Sequence, residues 1–248
     1  MRLTVVGCSG SFPGPDSAAS CYLVQSGDFA LLLDLGSGSV GPLQRAIGLD
    51  QVDAVWISHL HADHCADLTT YYVARRYRPA GAMPALDVYG PAGIAGHVAH
   101  SHGHVRPAVL AEVFTFHEVS EGATRVGPFT ITACRTIHPV ECYAVRLEAD
   151  GVSLVYTADT APSASVAALA RGADLLLAEA SYLHGGDHPT DLHLTAREAG
   201  ELGRSAGVRR LVVTHVPPWN DRSQVRAEAE DAFGQACEMA VAGATYEV

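Results

Sequence analysis

Four side chains of metal-binding type fall within six residues in His59-Leu60-His61-Ala62-Asp63-His64, directly after the apolar run Val52-Asp53-Ala54-Val55-Trp56-Ile57-Ser58. The pattern ties the fold to a site, because a buried strand must end where imidazoles and a carboxylate gather. Residues two apart on an extended segment point the same way, so His59, His61 and Asp63 converge on one side, and His64 follows at a turn into a helix. Imidazole nitrogens and a carboxylate suit zinc, manganese or iron, and this mixture is richer than one closed structural site needs. Two adjacent metal ions are the natural reading. The bland alternative is a His-rich surface loop, against which the preceding buried strand argues.

The chain has 248 residues, enough to bury about 70% of its unfolded surface without a staple. No repeat, low-complexity tract or linker divides it, so residues 1–248 are expected to form one domain. No apolar run reaches the roughly 18 residues that would span a bilayer. The segment Met1-Arg2-Leu3-Thr4-Val5-Val6-Gly7 reads as a first strand and not as a signal peptide, so a cytoplasmic location is expected. Cys8, Cys21, Cys65, Cys134, Cys142 and Cys237 show no CxxC spacing, which suggests reduced thiols. Cys65, beside His64, reads as a small buried hydrophobe near the site, with metal ligation the alternative. The net charge of −11 disfavours a nucleic-acid partner, which needs a basic face. The one compact basic run, Arg75-Arg76-Tyr77-Arg78, closes a helix, where cations meet the negative end of its dipole. A phosphate-facing arginine is the alternative.

Apolar runs and alternation place strands at Leu3 to Cys8, Cys21 to Gln25, Phe29 to Leu35, Ala54 to Ser58, Leu86 to Tyr89 and Glu112 to His117. Further strands are expected at Phe129 to Arg135, Tyr143 to Leu147, Ser153 to Thr157, Leu175 to Ala178 and Leu211 to Thr214. Helical periodicity is clearest in Asp67 to Arg76, Ser163 to Ala170, Thr195 to Ala206 and Ser223 to Phe233. Strands in both halves with helices between them imply an α/β fold of four layers, two sheets packed face to face and covered by helices.

The remaining ligand candidates appear where predicted strands end. His138 follows one apolar segment, Asp159 follows Leu154-Val155-Tyr156-Thr157-Ala158, and His215 follows Leu211-Val212-Val213-Thr214. Strand ends hold side chains on rigid backbone, as a preorganised metal site requires. None of the three persuades singly, since a lone His at a strand end is usually structural. Together with His59 to His64 they do.

In these residues the chain resembles the metallo-β-lactamase-fold hydrolases, and the resemblance covers nearly all of it. The motif residues match in order: Asp34 in Leu33-Asp34-Leu35-Gly36, then His59, His61, Asp63 and His64, then His138, Asp159 and His215. Ala158-Asp159-Thr160, Ala178-Glu179-Ala180-Ser181 and His193-Leu194-Thr195-Ala196 are similar to motifs of the phosphodiesterase and ribonuclease Z branch. A group of actinobacterial cyclic-AMP phosphodiesterases is resembled more closely still. The match runs through Gly7-Cys8-Ser9-Gly10-Ser11, Gly14-Pro15-Asp16-Ser17, His61-Ala62-Asp63-His64-Cys65, Asp191-Leu192-His193-Leu194 and Thr214-His215-Val216-Pro217-Pro218-Trp219.

The resemblance implies one metal on His59, His61 and His138, a second on Asp63, His64 and His215, Asp159 bridging both, and Asp34 behind them. Two cations about 3.5–4 Å apart can hold a water and lower its pKa from 15.7 toward about 7, supplying hydroxide at neutral pH. Asp63 would then serve the chemistry as well as the metal. An acid is needed on the leaving-group side, and His193 oriented by Glu179 is the candidate. The alternative makes His193 only a neighbour of the helix start. His184 and His188 lie on the loop between Glu179 and His193 and are candidates for substrate contact, whereas His97, His100, His102 and His104 read as a solvated helix end or loop without function.

Ribonuclease Z enzymes of the bacterial form carry a long arm between the equivalents of His138 and Asp159. Here residues 140 to 158 read as a hairpin turning at Glu148-Ala149-Asp150-Gly151. With an acidic chain as well, the expected reaction is hydrolysis of a small 3′,5′-cyclic nucleotide, cyclic AMP to 5′-AMP, on two divalent ions, zinc before manganese or iron. An armless ribonuclease, a lactonase or thioesterase, and a noncatalytic nucleotide-binding protein are the alternatives. All seven ligands are present, which argues against the last; lactonase-type members lack the Glu179 and His193 equivalents. The family resemblance implies a homodimer.

Overall fold

Leu31-Leu32-Leu33 and Leu175-Leu176-Leu177 are buried on both faces of their strands, so each sheet of this protein has to be covered twice. The computed structural model describes all 248 residues and satisfies that demand with four layers. Strands β1 (Arg2–Ser9), β2 (Ala18–Ala19), β3 (Cys21–Ser26), β4 (Phe29–Leu33), β5 (Ala54–Trp56), β6 (Leu86–Gly90) and β7 (Phe114–Glu118) begin the first sheet. Strands β8 (Gly122–Val126), β9 (Phe129–Arg135), β10 (Tyr143–Ala149), β11 (Val152–Tyr156), β12 (Leu175–Glu179), β13 (Arg210–Thr214) and β14 (Glu238–Met239) form the second, and β15 (Thr245–Glu247) returns to the first. The orders are β15-β1-β3-β4-β5-β6-β7, with β2 on β1, and β14-β13-β12-β11-β10-β9-β8. Both sheets are mixed, antiparallel through their hairpins and parallel where helices intervene.

Helices α1 (Val40–Ala46), α2 (Ala62–Cys65), α3 (Asp67–Arg76) and α4 (Ile94–Ser101) belong to the first half, and α5 (Ala164–Ala170), α6 (Ala196–Ala206) and α7 (Arg222–Phe233) to the second. The largest apolar cluster lies between the sheets, where Leu31, Leu33 and Trp56 share a core with Ile131, Val145, Leu147, Leu175 and Leu177. A second cluster joins the first sheet to Leu43, Leu68, Tyr71 and Val98 of its helices, and a third joins the second sheet to Ala170, Ala199 and Phe233. The fold is the α/β four-layer αββα arrangement that the sequence pattern implied. No helix is long and apolar enough to cross a membrane.

The differences from the expected elements have physical reasons. The strand expected to reach Leu35 ends at Leu33, because Asp34 turns into positive φ (59°) and leaves the ladder. Thr195 is the cap of α6 and not its first turn: its side chain accepts from Glu198 N while Glu198 answers Thr195 N. Asp150 and Gly151 both have positive φ (57° and 77°), the turn that an Asp-Gly hairpin between β10 and β11 requires. The segment holding His97 and His100 is helix α4, with Val98 and Ala99 buried beneath it. Arg75 does more than meet a helix dipole. It is buried and donates to the Leu49 and Pro84 carbonyls (3.3 and 2.6 Å), while Arg76 pairs with Glu112 and Arg78 with Asp50. These arginines thus hold the fold's own groups.

Candidate metal centre

The residues of the metal-binding pattern leave the sheets at one edge. Asp34 follows β4, His59 and His61 follow β5, Asp63 and His64 ride on α2, His138 follows β9, Asp159 follows β11 and His215 follows β13. Three backbones in this ring, at Asp34, Ala158 and His215, have positive φ (59°, 50° and 55°). Non-glycine residues hold that conformation at a cost of about 1–3 kcal/mol each, and such strain gathers at functional sites. Here it turns the chain sharply at the strand end and aims the side chain inward.

The structure assembles the seven candidate ligands in two groups sharing Asp159: His59, His61 and His138 on one side, Asp63, His64 and His215 on the other. In the first, His59 Nε2 and His138 Nε2 stand 3.1 and 3.2 Å from His61 Nδ1. In the second, His64 Nε2 and Asp63 Oδ2 each lie 3.2 Å from His215 Nε2. Asp159 spans both, with Oδ2 3.5 Å from His59 Nε2 and Oδ1 3.3 Å from His64 Nε2.

The groups behind the imidazoles decide what these short separations mean. His64 donates its Nδ1–H to Asp34 Oδ2 (2.7 Å), and His138 donates its Nδ1–H to the Leu192 carbonyl (3.0 Å). Ser58 Oγ gives its proton to Asp34 (2.9 Å) and so accepts from His59 Nδ1 (3.0 Å). Ser181 Oγ gives its proton to Glu179 (2.9 Å) and so accepts from His215 Nδ1 (2.9 Å). In neutral rings each Nε2 is then a bare lone pair, and four of them point into one space. Asp159 Oδ1 is buried there with no hydrogen-bond donor. Ligand atoms around one zinc, each about 2.0–2.2 Å from it, stand about 3.3 Å apart in a tetrahedron, the separation found here. The residues therefore fit divalent cations.

The electrostatics agree. Burial opposes ionisation of Asp159, but His215, His64 and His59 hold its carboxyl well below the usual range. Burial acts against Asp63 too, and His215 and His64 overcome it in the same direction. Burial lowers His59, His61 and His138, keeping them neutral as ligands must be. Against its burial, His64 is raised well above its usual value by Asp159 and Asp34, a sign that this position calls for positive charge.

Asp34 is fully buried and accepts four hydrogen bonds: Ser58 N on Oδ1, and Ser58 Oγ, His64 Nδ1 and Tyr156 Oη on Oδ2. Glu179, the last residue of β12, is equally buried; its Oε1 accepts from Thr160 N (2.8 Å) and His193 Nδ1 (2.9 Å). His193 lies between the two groups, its ring 5.6 Å from His138 and 5.5 Å from His215. Its burial is outweighed by the Glu179 charge and hydrogen bond, and its pKa rises to about 9. Ser58, Ser181, Tyr156 and the Leu192 carbonyl escaped the sequence reading. Only the serines left a signal there, Ser58 directly before His59 and Ser181 two residues after Glu179.

Other candidates fall outside the two groups. Cys65 is buried with Sγ 3.7 Å from His97 Nε2. His188 stacks on Tyr182, ring centroids 4.5 Å apart, and Tyr182 in turn meets the His193 ring edge-on at 5.4 Å. His184 offers its backbone N–H to Glu228.

Residues 31–216 match the family model described as "Beta-lactamase superfamily domain". An uncharacterized protein of Mycobacterium tuberculosis is 38% identical over 253 residues, covering 100% of this chain and 92% of its own. The probable metallo-hydrolase YhfI of Bacillus subtilis is 33% identical over the full length of both chains, and its crystal structure superposes with a TM-score of 0.89 over 100% of this chain and 99% of its own. A ribonuclease Z of Mycobacterium bovis is 32% identical over 88% of this chain and 86% of its own. The fold, the converging ligands and the extent of these matches carry one conclusion: the chain belongs to the beta-lactamase superfamily, among its metallo-hydrolases.

Proposed function

We propose that the protein is a metal-dependent phosphodiesterase that opens 3′,5′-cyclic nucleotides, cyclic AMP first among them, to 5′-nucleotides, with residues 1–248 working as one hydrolase domain. The observation that carries the reading is the His193–Glu179 pair, buried at one end and set between both ligand groups. Hydrolysis of a phosphodiester needs a proton delivered to a departing alkoxide, and a carboxylate-oriented imidazole is suited to deliver it.

In this reading His59, His61 and His138 would hold one ion and Asp63, His64 and His215 a second, Asp159 belonging to both groups, with zinc the expected metal. Such ions lower the pKa of a water and polarise phosphoryl oxygens. Everything else falls to side chains. Water oxygen adds to phosphorus and gives up one proton to solvent, the bond from phosphorus to O3′ breaks, and His193 gives its proton to O3′. Glu179 keeps Nδ1–H engaged, so the proton comes from Nε2, which makes no hydrogen bond within the protein. Asp63, through Oδ2, lies beside His215 Nε2 and holds the space where water enters.

The match to ribonuclease Z keeps RNA 3′ ends in view. Against that substrate, the interval from His138 to Asp159 is filled by β10, β11 and a two-residue turn. The experiment is incubation of the metal-loaded protein with 3′,5′-cyclic AMP and quantification of 5′-AMP, with Asp159→Ala as control. Steady 5′-AMP formation absent from the control is the expected result; no turnover with zinc, manganese or iron would sink the proposal.

A further inference from the structure

Phe12 and Trp219 are large aromatic side chains left in solvent on the two loops that pack against the His215 segment, 41% and 67% exposed. They touch, with ring centroids 5.0 Å apart and planes tilted by 40°. Both loops that carry them are built on His215. Trp219 follows it by four residues, in a turn closed by Asn220 N donating to the Pro217 carbonyl (3.0 Å). Asn220 Nδ2 donates to the carbonyl of Ser181 (2.8 Å), whose hydroxyl holds His215 Nδ1.

The Phe12 loop runs alongside. Ser9 forms a β-bridge with Val216, Gly10 N donates to the Val216 carbonyl (3.2 Å), and Ser9 Oγ donates to the Phe12 carbonyl (2.7 Å). Gly10 lies so close to His215 that a side chain there would run into its carbonyl oxygen. Gly14 packs against Pro218, where an added methyl would stand 3.2 Å from Pro218 Cγ, a tight fit. The aromatic pair is thus fixed on the His215 rim of the site, while the exposed side chains flanking His138, Ile137 and Val140, are aliphatic.

We propose that Phe12 and Trp219 form a platform on which the nucleobase of the substrate stacks, which makes the diester attacked at the metal centre a nucleotide. This rests on the phosphodiesterase reading. The chain is acidic, at −11, and the side-chain hydrogen bonds and ion pairs of the ligand residues run to other histidines, carboxylates, serines and a carbonyl, with no arginine among them. Beyond the cations, affinity for an anionic nucleotide must therefore come from elsewhere, and an aromatic face supplies it for any base. The larger purine face covers more of the pair than a pyrimidine does.

The two tryptophans are Trp56 and Trp219, and Trp56 is buried against Tyr89, so emission from the exposed one reports on the platform. The zinc-loaded protein is titrated with 5′-AMP and with ribose 5-phosphate. The expected result is a quench by 5′-AMP only, absent in Trp219→Phe, and a KM for cyclic AMP raised about ten- to a hundredfold in Trp219→Ala with kcat little changed. Phe12→Leu should raise KM in the same direction. A quench that survives Trp219→Phe, or no quench at all with 5′-AMP, overturns the platform. Cyclic-AMP turnover is scored separately: a 5′-AMP quench without turnover sinks the proposed reaction and keeps the platform, and turnover without the quench does the reverse.

Discussion

His64 donates its Nδ1–H to Asp34 Oδ2 over 2.7 Å, with both side chains wholly buried, so the ring's tautomer and the direction of its Nε2 are set by a residue that touches no ligand space. Asp34 is also the anchor for Ser58, which orients His59. One carboxylate therefore supports a ligand in each group. Asp34→Asn keeps the shape but lets an amide N–H face these donors. Metal affinity should fall about 10- to 100-fold at both positions, since groups behind ligands carry that much. Competition with a chromogenic chelator measures it; unchanged affinity would show that packing alone orients the imidazoles.

His193 gives a second, sharper expectation. His193→Ala should lower kcat for cyclic AMP by about 100- to 10,000-fold while bound metal stays constant, because the departing O3′ then lacks its proton donor. With bis(4-nitrophenyl) phosphate the loss should be far smaller, since 4-nitrophenolate leaves without protonation. Steady-state rates on both substrates, with metal content by elemental analysis, decide the point. Equal losses on the two would assign His193 to metal or substrate positioning.

The candidate ligand cluster was legible because its members are rare residue types placed at strand ends, four of them in one hexapeptide. The groups behind them were not, since a serine or the Leu192 carbonyl carries no pattern until the fold brings it within 3.0 Å of an imidazole. Helices α1 and α4 escaped the periodicity reading for a local reason: Gly41 and Pro42 interrupt one, and Gly93 and Gly96 the other, while tertiary burial of Leu43 and Val98 holds both. Strand β8 is exposed at every residue but Val126, so it shows no alternation of apolar side chains, and β14 and β15 are too short to show any. Asp34 and Ala158 ended their strands earlier than apolarity implied, through backbone conformation that composition does not encode.

Metal should also hold the two sheets together, because the ligands run from His59 to His215 and each group draws on both halves of the chain. A ligand bound only by the native state adds about 2.7 kcal/mol at a hundred times its Kd. For about 250 residues, 1 kcal/mol moves the melting temperature by about 2–4 °C, so stripping the metal should lower it by about 5–10 °C. Differential scanning calorimetry with and without chelator tests this, and restoring zinc should restore the transition. An unchanged melting temperature would mean the imidazole lone pairs are tolerated without a cation.

Asp174 links stability to pH away from the metal centre. It accepts from Ser153 N (2.8 Å) and Ser153 Oγ (3.0 Å) at the start of β11, and from Arg209 (2.9 Å) before β13. Burial alone would raise its pKa, but the Ser153 hydrogen bonds and Arg209 win and lower it. A lowered carboxylate contributes stability that is fully present above the unfolded value of about 3.9 and is lost as pH falls through the lower folded value. Asp174→Asn should therefore cost about 1 kcal/mol at pH 7, the partial exposure of the site keeping the figure small. That deficit should start to shrink as the pH drops below about 4, where the unfolded carboxyl takes up a proton, and vanish once the native carboxyl does so at its lower value. Urea unfolding of both metal-free proteins along this range measures the difference directly, and a deficit that stays constant down the acid limb would show that shape and not charge holds the β11 start to β13.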